Sequence, residues 1–120
     1  MIGLVHERFG TQNVLVNLAG IVDWPGIEDT AEDAWDRVID VNQKGTWLGR
    51  KAAMPLLRAS GNASMINTSS VLVLVGSGSA AAYQASKGAV RAGVLPGCAE
   101  RRWRAAHAWH RGGEAEMPWS

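Results

Sequence analysis

Val14-Leu15-Val16-Asn17-Leu18-Ala19-Gly20 is the stretch on which the reading of this chain turns. A short, continuous apolar run of this kind marks a strand buried on both faces of a parallel sheet. The run leads directly into a turn of small residues, and Pro25 and Gly26 punctuate the loop beyond it. Upstream, Met1 to Gly10 reads as the tail of a helix that stops at Gly10.

Downstream, Thr30 and Asp33 form a capping-box-like start, with Glu28, Asp29 and Glu32 near the positive end of the helix that follows. Trp35, Val38, Ile39, Asn42, Gly45, Thr46, Gly49, Ala53, Leu56 and Leu57 recur at steps of three or four. That spacing predicts one face of a long helix reaching about Ala59, with Pro55 bending its last turn and Ser60-Gly61-Asn62 closing it. A second buried strand is expected over Ala63 to Thr68, ending on Ser69 and Ser70. Gly76 to Ser79 then form a flexible turn, and a further helix carries Tyr83, Lys87 and Val90. Helix, strand, helix, strand, helix implies parallel strands joined by a helical crossover. The expected fold is therefore α/β, a partial Rossmann-like three-layer α/β/α unit with two buried parallel strands and flanking helices.

Residues 93–120 differ in character. Four arginines (Arg101, Arg102, Arg104 and Arg111) accompany Trp103, Trp109 and Trp119, with Pro96, Gly97, Gly112, Gly113 and Pro118 interrupting any period. The chain divides on this reading into 1–92, an α/β region, and 93–120, an Arg/Trp-rich tail that is poorly ordered or loosely docked. Arginine interleaved with tryptophan can bind nucleic acid, but Glu100, Glu114 and Glu116 dilute the charge, so no nucleic-acid partner is expected. His107 and His110 have no evident third ligand, and no metal is expected.

At 120 residues the chain suffices for one modest domain, and a formal charge of +1 supplies no global field toward nucleic acid or membrane. The longest apolar stretch, Val71 to Val75, is far too short to span a bilayer. His6, Glu7 and Arg8 stand where the apolar core of a signal peptide would be. One cysteine, Cys98, permits no internal disulfide and fits a reducing compartment. A soluble, cytoplasmic protein is the expectation.

Tyr83 and Lys87 are four apart on the last predicted helix and share one face. An ammonium beside a phenol favours the phenolate, and such a tyrosine can exchange a proton with a carbonyl or alcohol oxygen. Lysine is common enough that this pair alone is a weak signal. Ser70 stands thirteen residues before Tyr83 at the carboxyl end of a predicted parallel strand, where open α/β sheets bind ligands. Serines also end strands with no further role, and both readings of Ser70 stand. Asn42 lies inside the apolar stripe, where a buried amide needs partners; it is either a satisfied core asparagine or a group holding backbone or water. Asn17-Leu18-Ala19-Gly20 either ends a strand or lets a ligand approach the backbone closely.

Together, in this order and spacing, these features resemble the short-chain dehydrogenase/reductase family. Asn17, Leu18, Ala19 and Gly20 align with its Asn-Asn-Ala-Gly motif. Asn42 in Val41-Asn42-Gln43-Lys44-Gly45 matches its active-site asparagine, Ser70 its catalytic serine, and Tyr83 with Lys87 its Tyr-x-x-x-Lys. The resemblance runs from about His6 to Ala92 and implies roles. Tyr83 would be the general acid/base, Ser70 would polarise the substrate oxygen, and Asn42 would hold a water in a proton relay. Lys87 would bind the nicotinamide ribose, Tyr83 would also contact the cofactor, and Asn17, Ala19 and Gly20 would line the cofactor's adenosine side. The implied reaction is hydride transfer between NAD or NADP and a small-molecule alcohol or ketone. It also implies a homo-oligomer through the two long helices. Leu18 departs from the motif's second asparagine, which ties neighbouring strands, so a local loss of stability is expected. The chain starts just before what resembles the family's fourth strand and has no glycine-rich turn to seat a pyrophosphate. A truncated, catalytically incompetent fragment serving as an interaction module is the alternative.

Overall fold

A computed structural model of the chain describes residues 2–98 and 104–108. Three parallel strands lie in the order β1 (Val14–Asn17), β2 (Ser64–Thr68) and β3 (Arg104–Ala108). α1 (Ile2–Phe9) precedes β1; α2 (Glu32–Ile39), a wide π turn (Asp40–Lys44) and α3 (Gly45–Ser60) join β1 to β2, and α4 (Leu72–Val75) and α5 (Ala81–Cys98) lie between β2 and β3. The α/β class is borne out, as is the parallel pairing of the two expected strands.

The helix ends follow their residues. Gly10 and Gly61 take φ of 72° and 70°, a left-handed conformation open to glycine, and end α1 and α3. The long predicted helix exists as α2, the π turn and α3 in succession, and α3 continues through Pro55. Its apolar stripe is the core: Val38, Ala53 and Leu57 are buried, joined by Val90 of α5. The start differs from a capping box. Ala31 is the N-cap without a side-chain bond, the Thr30 hydroxyl donates to the Gly26 carbonyl, and Asp33 accepts from the Ala34 N–H. Those side chains bond locally within the loop and first turn, so they are not available for a reciprocal cap.

Two further features depart from expectation. Val14 and Val16 are 54% and 52% exposed, so β1 is covered on one face only among the described residues. A continuous apolar run is compatible with two covered faces but does not supply the second layer. Beyond the two expected strands, α5 runs to Cys98, and Arg104–Ala108 forms a third strand within the segment expected to be poorly ordered or loosely docked. An arginine- and histidine-bearing run of five residues carries no apolar period to announce a strand. The remainder of that segment, 99–103 and 109–120, lies outside the described residues.

The brace between β1 and β2 is polar. Asn17 faces Asn67 in register, and its amide Nδ2 donates to Asn67 Oδ1 at 2.8 Å. Asn17 thus ties the two strands, and Leu18 beside it is 62% exposed. On α3, a Cβ added at Gly49 would lie 2.7 Å from Asn17 Oδ1. Gly49→Ala should therefore destabilise the chain by about 1–3 kcal/mol through displacement of the Asn17–Asn67 pair. That outweighs the gain of at most about 1 kcal/mol in helix propensity. Urea denaturation of the variant checks the sign; a stabilised variant would contradict the brace.

Candidate active site

The site collects where β1 and β2 end and α5 begins. α5 starts after Ala80, which is buried at a φ of 58° and whose N–H donates to the Pro25 carbonyl at 3.0 Å. A non-glycine residue held at positive φ marks a backbone determined by its surroundings, and here it sets the entry of the helix that carries Tyr83 and Lys87.

Lys87 is 4% exposed. Its ammonium donates to the Thr68 carbonyl at 2.9 Å and lies 5.8 Å from the centre of the Tyr83 ring. Burial pushes the Lys87 pKa below its ordinary value, because the low-dielectric surroundings penalise the charged form. The Lys87 carbonyl accepts from the Ser69 hydroxyl at 3.0 Å, so both ends of this residue are pinned to the carboxyl end of β2. Ser70 is 6% exposed, and its Oγ accepts the Leu72 N–H at 3.3 Å, leaving its own proton to donate. The Thr68 hydroxyl oxygen is buried without a partner, beside the carbonyl that receives the ammonium.

Asn42, at the centre of the π turn, is fully buried. Its Oδ1 accepts the Ile21 N–H at 2.8 Å, and its Nδ2 donates to the Ile21 carbonyl at 2.8 Å and to Ser86 Oγ at 2.9 Å. Its backbone carbonyl accepts from the Thr46 hydroxyl at 2.7 Å. Both N–H groups of the amide are thereby spent within the protein. The side chain thus holds the Ile21 backbone at both its N–H and its carbonyl, an arrangement that both readings of Asn42 share. Gly20 allows this packing: a Cβ there would sit 3.2 Å from both Asn42 Oδ1 and Lys87 Nζ.

Of the residues singled out by sequence, the structure packs Asn42 and Lys87 against Gly20, carries Tyr83 on α5 with Lys87, and places Ser70 two residues beyond the end of β2. Ala19 is exposed next to Gly20, whereas the Asn17 side chain is turned into the strand brace. Ser86 and Thr68 were not singled out. Ser86 follows Tyr83 by three, one position before Lys87, and a serine in that place gives no signal until its partner Asn42 is known. Among the described residues there is no cluster of histidine, cysteine, aspartate and glutamate able to hold a metal. His107 lies in β3, and His110 is outside the described residues.

The short chain dehydrogenase family model matches residues 1–95. The chain is 47% identical over 90 residues to trans-4-hydroxycyclohexanecarboxylate dehydrogenase of Sinomonas cyclohexanicum, covering 75% of this chain and 34% of that protein. It is 42% identical over 79 residues to cyclopentanol dehydrogenase of a Comamonas species, covering 66% and 32%. The ligand-free structure of Thermoplasma acidophilum aldohexose dehydrogenase superposes with a TM-score of 0.81 at 32% identity, over 90% of this chain and 44% of that one. The chain thus spans about a third of the length of these curated relatives. On the matched motifs and the matched fold alike, it belongs to the short-chain dehydrogenase family.

Proposed function

We propose that this chain carries the proton-transfer part of an NAD(P)-dependent oxidoreductase that interconverts a secondary alcohol and a ketone. The observation that carries the reading is a lysine buried to 4% exposure, with its ammonium 5.8 Å from the ring centre of the single tyrosine of the chain. Burying that charge is costly, and a site that needs a cation next to a phenol is a physical reason to bear it. Tyr83 gives a proton to the substrate oxygen in reduction and takes it in oxidation. Lys87 holds its ammonium near the Tyr83 ring, and Ser70 donates its free hydroxyl proton to the same substrate oxygen. Asn42 acts through its two bonds to Ile21, fixing the backbone that flanks Gly20.

A nicotinamide dinucleotide, when bound, supplies the hydride acceptor or donor. Its ribose end fits the residues present: Lys87 has N–H groups beyond the one spent on the Thr68 carbonyl, and the buried Thr68 hydroxyl has no partner within the protein. For the pyrophosphate the sequence offers no glycine-rich turn after a strand, so no residue is assigned to it. The relatives named for cyclohexane and cyclopentane alcohols favour an alicyclic substrate. No helix among the described residues is long and apolar enough to cross a membrane, and the lone Cys98 suits a reducing cytoplasm.

Titration of the purified chain with NADH and NADPH, read as a shift in thermal midpoint, tests the reading. Saturation at a hundred times the dissociation constant should add about 2.7 kcal/mol of stability. Absence of any shift with both dinucleotides would reject autonomous activity.

A second reading, association with another copy through the long helices, is favoured by charge. Residues 23–40 hold Asp23, Glu28, Asp29, Glu32, Asp33, Asp36 and Asp40 against Arg37 alone, whereas residues 41–98 contain no acidic residue. An antiparallel pair of α2–α3 helices would set acidic halves against basic ones. Sedimentation should show a dimer that dissociates as salt rises; a monomer at low salt counts against it.

A further inference from the structure

Ser86 is fully buried on α5 and makes two hydrogen bonds through one hydroxyl. It accepts from Asn42 Nδ2 at 2.9 Å and donates to the Tyr83 carbonyl at 2.7 Å. Asn42 is held in turn by the Ile21 N–H and carbonyl, each at 2.8 Å. A continuous chain of hydrogen bonds therefore runs from Ile21, after β1, through the π turn to the backbone of Tyr83. The order of donors is forced. Asn42 Nδ2 can only donate, so the Ser86 oxygen receives it and its single proton is directed to Tyr83.

A hydroxyl bonded back to the carbonyl three residues earlier adjusts the local helix turn. Here that turn separates Tyr83 from Lys87. Lys87 is fixed independently, at its ammonium by Thr68 and at its carbonyl by Ser69. With one member of the pair anchored to β2, the position of the other depends on what anchors the start of α5, and Ser86 supplies that anchor on the side facing Asn42. We propose that Ser86 is a positioning residue that sets the Tyr83-to-Lys87 geometry by tying α5 to Asn42. The proposal rests on the reading of Tyr83 and Lys87 as a coupled acid–base pair and adds a residue to it. A serine that merely fills space would alter melting without altering Tyr83's ionisation.

The test uses the fact that Tyr83 is the only tyrosine in the chain. Ultraviolet absorbance of tyrosinate therefore follows one group, with no cofactor or turnover required. Ser86→Ala should change the acid dissociation constant of Tyr83 by about threefold or more. Ser86→Cys, close in size but a weaker hydrogen-bonding partner, should change it less in the same direction. A wild-type titration in both variants would overturn the proposal, provided Lys87→Met displaces the midpoint. An unmoved midpoint in Lys87→Met would instead overturn the reading of the coupled pair. If Ser86→Ala does not fold, Ser86→Cys decides; failure of both to fold under conditions where the wild-type chain does would make Ser86 structural and overturn the proposal.

Discussion

Asn42→Ala is expected to remove about 2–4 kcal/mol of stability, a large part of the roughly 5–15 kcal/mol available to a small domain. The truncation strips a carbonyl acceptor from the Ile21 N–H, a donor from the Ile21 carbonyl and a donor from Ser86 Oγ. Each buried group left unpaired costs about 1–3 kcal/mol, and the half-buried position of Ile21 brings its share to the low end. Ser86, at 0% exposure, has no water to turn to. Asn42→Asp is the discriminating companion. It keeps the acceptor for the Ile21 N–H but faces the Ile21 carbonyl and the Ser86 oxygen with a carboxylate. Its deficit should shrink as pH falls and the carboxyl gains a proton to donate. Urea denaturation at neutral and acidic pH measures both; an alanine variant within about 0.5 kcal/mol of wild type would show that the bonds around Asn42 carry little.

The same residue shows what could be read from sequence and what could not. Its place in the apolar stripe Trp35–Leu57 announces a buried amide with partners, because helical spacing alone puts Asn42 between Ile39 and Gly45 on the inner face. The partners come from 21 residues upstream and 44 downstream, and no local period encodes such contacts. Tyr83 and Lys87 were legible for the same reason as the stripe: a separation of four is a statement about one helix face. Ser86 was not, since its role depends on Asn42. The two valines of β1 illustrate the converse error. Val14 and Val16 satisfy the pattern of a strand covered twice, yet covering is a property of neighbouring layers, and among the described residues one layer is bare. Arg104–Ala108 pairs with β2 through its backbone, a contact available to almost any sequence, so its residue types concealed it.

Lys87→Met is expected to separate stability from binding. The wild-type ammonium is taken out of water with one backbone carbonyl as its visible partner, and its depressed pKa records the cost of that burial. Methionine matches the stem in length and carries no charge, so the substitution removes the desolvation cost and gives up one hydrogen bond. The sign of the pH dependence follows from proton counting. Between the lowered folded pKa and the ordinary 10.5 of the unfolded chain, the unfolded state binds more protons, so wild-type stability rises with pH through that interval. Below it, both states are protonated and the full penalty applies. The methionine variant should therefore exceed the wild type in thermal midpoint most clearly at neutral pH. That advantage should shrink as pH climbs toward 10.5. Dinucleotide binding should move the other way: loss of a charge-assisted hydrogen bond to the ribose, worth about 1.5–3 kcal/mol, weakens affinity about tenfold or more. A variant both more stable and poorer at binding is the signature of a charge retained for chemistry rather than for folding. If the variant is instead less stable at every pH and binds NADH and NADPH as the wild type does, Lys87 is a structural cation and the proposed acid–base pair falls with it.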